Sequence, residues 1–144
     1  MKALLKLAPA AVALAFAGNA LADSAAGTWK TIDDETRQAK ALVQITENPG
    51  GVLTGRIVKL FANPAAVCDK CDGDRKGKPV EGMTILWGLK KAGNDAWEDG
   101  KILDPKKGSV YSAKMKLAEG GKKLEVRGFM GVSLLGRTQT WERQ

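Results

Sequence analysis

The motif Cys68-Asp69-Lys70-Cys71 is the only compact one in this chain whose residue types and spacing could carry chemistry. It has three interpretations: a local disulfide, a redox-active pair, or part of a metal site. A redox-active Cys-x-x-Cys normally lies at a helix N-terminus in a β-α-β unit, which this sequence does not predict. Zinc would need Asp69, Asp72 or Asp74 to complete four ligands. We favour a disulfide between Cys68 and Cys71, and we expect no metal site.

The chain contains no histidine. Its absence removes the commonest general base and every nucleophile that depends on a histidine. Apart from the cysteines, only Tyr111 and Asp104 could act as acid, base or nucleophile. Asp104 precedes Pro105, which is typical of a turn, and Tyr111 fits a core position. We therefore expect no catalytic residues, no cofactor and no enzyme activity.

A single arginine near the C-terminus, Arg137, is the best candidate for holding a charged group. Alternate residues of an extended strand share one face. If Leu135 and Trp141 face inward, Arg137 and Gln139 therefore face inward as well. A buried arginine must be paired or must face a polar cavity, so Arg137 would meet an anionic headgroup there. A bulge at Gly136 would turn these residues outward, and both orientations remain open.

Alternation of apolar and polar residues predicts the elements that must position these side chains. Tyr111, Ala113, Met115 and Leu117 share one face of a strand, and the turn at 119–122 leads into a second strand, which makes a hairpin. The same pattern, with Gly, Pro and Asn turns, recurs along the chain. We predict eight strands, near residues 27–32, 41–47, 52–60, 83–90, 96–103, 111–117, 124–130 and 133–143.

Short connections between these strands predict antiparallel neighbours and an all-β, eight-stranded up-and-down barrel, since a β-sandwich usually needs longer crossovers. We expect Trp29 and Trp141 to close the barrel, with Arg127 or Arg143 stacked on the indole of Trp29. One long connection, residues 61–81, contains both cysteines. Loops of this length are usually functional, and we expect it to cover the barrel mouth.

Residues 1–22 have the pattern of a secretory signal peptide. Lys2 and Lys6 precede an apolar run at 7–17, which is too short to span a membrane, and cleavage is expected after Ala22. The loss of both lysines would lower the net charge from +7 to +5. We predict a periplasmic, single-domain protein of residues 23–144 that does not span the membrane. Its scattered basic residues do not predict nucleic-acid binding.

Several short motifs recur along the chain after the signal peptide. They are Gly27-x-Trp29, Cys68-x-x-Cys71-x-Gly73, Lys76 with Pro79, Gly82-Met83, Trp97, Gly100-x-Ile102-x-Asp104-Pro105, Gly108-x-x-Tyr111, Arg127-Gly128, and Gly136-Arg137-Thr138 with Trp141. Together they resemble the exported bacterial family known as domain of unknown function 2147 (DUF2147). The resemblance covers essentially the whole chain after the signal peptide, and it implies a lipocalin-like barrel in the cell envelope without an established reaction.

Two functions suit such a barrel. The first is the binding of one small hydrophobic or amphipathic molecule, which an eight-stranded barrel is just wide enough to hold. The second is a protein interaction module of the cell envelope, in which side chains fill the barrel and the cysteine loop meets a protein partner. For the first function we expect an apolar lining of Trp87, Trp97, Tyr111 and Met115, with Arg137 at any acidic group.

Overall fold

The computed structural model describes residues 24–144, so the predicted signal peptide lies outside the described residues. Alternating apolar positions produce eight strands, and the two short 3-10 turns lie at Gly73–Arg75 and Glu119–Gly121. The strands are β1 (Gly27–Ile32), β2 (Ala39–Glu47), β3 (Leu53–Leu60), β4 (Thr84–Lys91), β5 (Ala96–Asp104), β6 (Ser109–Ala118), β7 (Lys123–Phe129) and β8 (Gly136–Arg143).

The eight strands form one closed barrel in sequence order, with every neighbouring pair antiparallel. This confirms the predicted all-β up-and-down barrel. The seam between the first and last strands is short, with Trp29 opposite Arg143 and Lys30 opposite Glu142. On its outer side, Glu142 accepts ion pairs from Lys30 and Lys123. Within residues 24–144, no helix has the length and apolar character that a membrane span requires.

The last strand begins at Gly136, three residues later than predicted. The amide of Leu135 donates to the carbonyl of Val132, and Gly131 has a φ of 71°, so residues 130–135 form a turn instead of continuing the strand. Leu135 is 71% exposed, so of the two orientations left open for it the structure shows the outward one. Trp141 is buried, as expected from the alternation in the rest of the strand.

The two ends of the barrel differ. The hairpin end carries the tight turns 48–52, 92–95 and 119–122, together with both ends of the described chain. The loop-rich end carries the four longer connections, which are 33–38, 61–83, 105–108 and 130–135. Large side chains fill the interior toward the hairpin end. The inward side chains there are almost fully buried, and they are Trp29, Val43, Ile45, Leu53, Leu89, Trp97, Met115, Leu117, Leu124 and Trp141.

The cysteine loop, residues 61–83, packs against the outer wall of the barrel. Its own backbone pairs Ala66 with Val80, and the Sγ atom of Cys68 lies 3.4 Å from the carbonyl oxygen of Pro105 in the β5–β6 turn. Ile85 and Leu103 face outward by register, yet both are buried, which is explained by the cover that this loop provides. The contacts of this loop that the structure describes lie on the outer wall and at the β5–β6 turn, and its expected cover of the mouth stays a prediction.

Candidate functional site

The barrel is closed at the hairpin end by Trp29 and Arg143. The guanidinium of Arg143 lies 4.3 Å from the centroid of the Trp29 ring, and the indole N–H donates to the carbonyl of Ala25 at 2.8 Å. The guanidinium also donates to three backbone carbonyls, those of Ser24, Ala26 and Gly121. Its burial lowers the pKa of Arg143 from its usual value.

Arg127 does not take part in this closure, because it lies on the outer face of β7. Its guanidinium donates to the carbonyl of Ser133 at 2.7 Å and to the hydroxyl of Thr138 at 2.8 Å. Thr138 is the cross-strand partner of Arg127, so both side chains point away from the interior. Of the two arginines considered for the stack, the structure selects Arg143, and Arg127 instead anchors the β7–β8 loop.

Arg137 and Gln139 do lie on the inward register of β8. Arg137 is paired with Gly128, and Gly128 with the buried Ala113. A side chain at Gly128 would meet Ile102 of β5 at 3.3 Å, which places this face inside the barrel. Gln139 accepts a 3.0 Å hydrogen bond from the indole of Trp141. The bulge considered at Gly136 therefore does not reverse the strand.

The charge of Arg137 is already compensated. Its Nε and Nη2 donate to the two carboxylate oxygens of Asp34 at 3.0 and 2.5 Å, and Nη2 also lies 3.1 Å from Glu35. These hydrogen bonds lower the pKa of the Asp34 carboxyl and raise the pKa of the Arg137 guanidinium. The cluster of one cation and two carboxylates is net negative, so an anionic group meets no free positive charge here.

Inward residues at the loop-rich end stay accessible to solvent. Ile102, Tyr111 and Gln139 are only partly buried, and the side chain of Arg137 is half exposed. Gly128 contributes no side chain at the level of Arg137. Solvent therefore reaches inward side chains at this end of the barrel. We call this region the recess, with Ile102 and Tyr111 as its apolar side and Gln139 and Arg137 as its polar side.

Trp97 and Met115 lie deeper, in the packed core. They are cross-strand partners and are 4% and 3% exposed. Trp97 also borders a cavity of about 530 Å³ at the hairpin end, between the β2–β3 turn and Lys90 and Lys91. Neither residue reaches the recess at the loop-rich end, so the structure does not bring the five predicted ligand residues together.

Trp87 lies on the outer face of the barrel, and the expectation that it lines the interior is wrong. It is opposite Lys101, whereas its neighbour Leu86 is opposite Ile102 on the inward face. A φ of 72° at Gly88 interrupts the alternation, so that Leu86 and Leu89, three residues apart, are both buried. The cysteine loop covers Trp87 with Arg75, whose guanidinium lies 4.6 Å from the ring centroid.

Cys68 and Cys71 form a disulfide, as predicted, and both are buried. Asp104 accepts hydrogen bonds from the amides of Lys106 and Lys107, which is a turn role. Among residues 24–144, no three Cys, Asp or Glu side chains converge on a position that could hold a metal ion. Cys68, Cys71 and Asp104 thus have structural roles in the loops.

Comparison with known proteins agrees with this architecture. The sequence model of the family described as "Uncharacterized protein conserved in bacteria (DUF2147)" matches residues 27–143. This chain belongs to the DUF2147 family. The matched region runs from the first residue of β1 to the last residue of β8, so the family's sequence features and the closed barrel coincide.

Among solved structures, this DUF2147 protein is similar to protein HP1028 from Helicobacter pylori, described as belonging to the lipocalin family. The two share 18% sequence identity with a TM-score of 0.75, over 84% of this chain and 83% of the other. At this identity the likeness shows a lipocalin-like fold alone. No curated protein sequence matches this chain significantly.

Sequence reasoning missed the partners of Arg137. Asp34 and Glu35 lie in the β1–β2 loop, far from Arg137 in sequence. Closure of β1 against β8 brings that loop beside the start of β8. The predicted barrel topology could therefore have indicated that Arg137 lies near Asp34 and Glu35. No sequence signal linked Arg75 to Trp87, because their contact depends on the path of an irregular loop.

Proposed function

We propose that this protein binds one small hydrophobic or amphipathic molecule at the loop-rich end of its barrel. The observation that carries the proposal is the gradient of exposure along the inward face. Large side chains fill the hairpin end, whereas Ile102, Tyr111, Gln139 and Arg137 remain partly or largely exposed at the other end. An interior recess that combines an apolar side with a few polar groups is typical of small-molecule sites.

The recess suits an uncharged polar group better than an anionic one. Arg137 uses Nε and Nη2 on Asp34 and Glu35, which leaves its Nη1 as the donor that a ligand could meet. A carboxylate or phosphate would have to displace Glu35, the more exposed of the two acids. The aliphatic or aromatic part of the ligand would pack on Ile102 and Tyr111.

Binding without catalysis, in the periplasm, completes the proposal. Support for the location comes from the signal-peptide pattern of residues 1–22 and from the Cys68–Cys71 disulfide, which is a bond typical of oxidising compartments. Support for binding without catalysis comes from the roles of the candidate groups, since the cysteines are bonded and Asp104 caps a turn.

The first experiment is to isolate the protein from its native cell envelope, denature it and identify released small molecules by mass spectrometry. The variant Gly128→Val adds a side chain toward Ile102 and fills the recess. The control Thr138→Val places a valine on the outer face of the neighbouring strand, where it keeps the size of the side chain and removes only the hydroxyl that Arg127 contacts. We expect a stoichiometric hydrophobic compound with the wild type and with Thr138→Val, and its loss with Gly128→Val.

Two results would contradict this function. A clean extract from folded wild-type protein would favour the alternative, an envelope interaction module with a filled barrel. A compound that survives Gly128→Val would have to bind elsewhere, for example in the cavity beside Trp97 at the hairpin end. Circular dichroism of each variant checks that the barrel itself is retained.

A further inference from the structure

Exposed apolar side chains gather at one end of this barrel. Among the described residues, every large apolar side chain that is exposed lies at or beside the loop-rich end, and the hairpin end has none. Half of them belong to the apolar loop, which we define as residues 130–135. The exposed fractions there are 60% for Met130, 58% for Val132, 88% for Leu134 and 71% for Leu135.

The apolar loop is held in a defined shape. The guanidinium of Arg127 donates to the carbonyl of Ser133 at 2.7 Å, and the amide of Leu135 closes a turn with Val132 at 3.0 Å. No residue from 130 to 135 carries a charge. A six-residue uncharged loop with four exposed apolar side chains is unfavourable in water, so a partner that covers it is expected.

Positive charge borders the apolar loop. On the outer wall of β5 and β7, Lys101 and Arg127 lie one outward position in from Leu103 and Phe129, the outermost residues at this end. Lys114 of β6 lies directly opposite Arg127. Acidic residues on the same wall, Glu98 and Glu125, lie nearer the hairpin end. The adjoining β5–β6 turn adds two exposed lysines, Lys106 and Lys107. We call these five basic residues the basic border.

The side chains of the basic border have no acidic partner within the part of the chain that the structure describes, since the ion pairs found there involve other cations. Lys101 donates only to the hydroxyl of Ser112, at 3.3 Å. Arg127 donates to a carbonyl and a hydroxyl. Uncompensated cations next to an exposed apolar loop are complementary to a surface that is negative outside and apolar beneath.

We propose that the loop-rich end docks on an anionic lipid surface. The apolar loop would insert at the boundary between headgroups and acyl chains, and the basic border would contact lipid phosphates. A second copy of the chain fits less well, because a stable dimer buries about 800 Å² on each partner and a protruding six-residue loop presents much less. Docking is independent of the proposed recess, although it would turn the recess toward the bilayer.

The test measures co-sedimentation of residues 23–144, which contain all eight strands, with lipid vesicles. One set contains phosphatidylglycerol with phosphatidylethanolamine, and the other contains phosphatidylcholine alone. We expect partition onto the anionic vesicles that weakens as salt is added. The double variant Leu134→Ser/Leu135→Ser should reduce it by about tenfold or more, since two exposed leucines no longer bury apolar surface in the lipid.

A matched pair of charge reversals tests the basic border. Lys106→Glu/Lys107→Glu should weaken anionic-vesicle binding, whereas Lys90→Glu/Lys91→Glu, with the same net charge but at the hairpin end, should not. Wild-type protein that does not partition would overturn the proposal, as would equal losses in the two lysine variants or full binding by the leucine variant. A self-associated wild type that the leucine variant makes monomeric, without vesicle binding, would assign the loop to a second copy instead.

Discussion

The guanidinium of Arg143 lies 4.3 Å from the centroid of the Trp29 indole and spans the seam between the first and last strands. One side chain thereby covers the interior at the hairpin end and satisfies three carbonyls that no strand partner reaches. The two functions are separate contributions to stability. The stack depends on the planar cation, and the carbonyl bonds depend on its several N–H donors.

Arg143→Ala should lower the free energy of unfolding by about 2 to 4 kcal/mol, because the Ser24, Ala26 and Gly121 carbonyls lose their donor and Trp29 loses its cation. Urea denaturation at neutral pH measures the loss. Arg127→Ala is the control, since Arg127 holds an exposed loop only, and it should cost less than about 1 kcal/mol. Equal losses would show that the closure has no special role.

The Arg137–Asp34 pair should make stability depend on acid. Its hydrogen bonds hold the pKa of Asp34 below the value of about 4 that an unfolded aspartate has. The Asp34 carboxyl therefore stays ionised in the folded protein at a pH where the same carboxyl is protonated in the unfolded chain. The pair's contribution is fully present above about pH 5 and is lost as the pH falls through the lowered pKa of Asp34.

Asp34→Asn should consequently lower stability at pH 7 by about 0.5 to 1 kcal/mol, a modest value because the pair is partly exposed. The difference from wild type should shrink as the pH falls below about 4. Urea midpoints at several pH values measure both effects. Arg137→Ala should show the same pH dependence, and adding Asp34→Asn to it should change nothing further. A constant difference at all pH values would contradict the pairing.

Gly108 lies where the β5–β6 turn meets the cysteine loop. A Cβ at this position would overlap the carbonyl of Lys70, and its φ is 71°. Gly120 has a similar φ of 65° with no atom near the same position, so it is a matched control. Gly120→Ala should cost about 1 to 2 kcal/mol from backbone strain alone, and Gly108→Ala about 1 to 3 kcal/mol more.

Thermal and urea unfolding of these two variants give the comparison. Displacement of the cysteine loop by Gly108→Ala should also make the buried Cys68–Cys71 disulfide react faster with a reducing agent, whereas Gly120→Ala should leave that rate unchanged. Equal stabilities of the two variants would mean that the loop moves away from the turn without cost.

Replacing Cys68 and Cys71 together by alanine should leave the barrel intact. The bond closes a ring of only four residues, so its loss should cost about 2 kcal/mol at most by the loop-entropy relation. Far-ultraviolet circular dichroism should be unchanged. Tryptophan fluorescence should shift, because Arg75 in the same loop covers Trp87. Loss of the strand signal would show instead that the loop is required for the barrel to fold.

The barrel was predictable because a strand half buried in a closed sheet repeats every two residues, and the chain keeps that repeat in most strands. Tyr111, Met115 and Trp141 lie on the expected face for this reason. Trp87 does not, because a positive φ at Gly88 changes the phase of the strand, and a glycine in a sequence does not reveal its φ.

The recess was less predictable than the barrel. Two of the five predicted ligand residues, Tyr111 and Arg137, lie at the loop-rich end, while Trp97 and Met115 lie in the packed core. Strand alternation indicates which face a residue occupies but not how deep along the barrel it lies. The apolar loop was not predicted either. The sequence from Ser133 to Leu135 fits an extended strand, and the turn that the amide of Leu135 closes with Val132 is visible only in the structure.

The short seam between β1 and β8 sets an order for folding. Every other strand pair joins neighbours in sequence, whereas the seam joins the two ends of the described chain. Its loop-closure entropy is the largest of all the pairings, so the seam should form last and limit the folding rate. Until it forms, the chain is an open sheet with β1 and β8 as unprotected edges, and that interval is when it is most prone to aggregate.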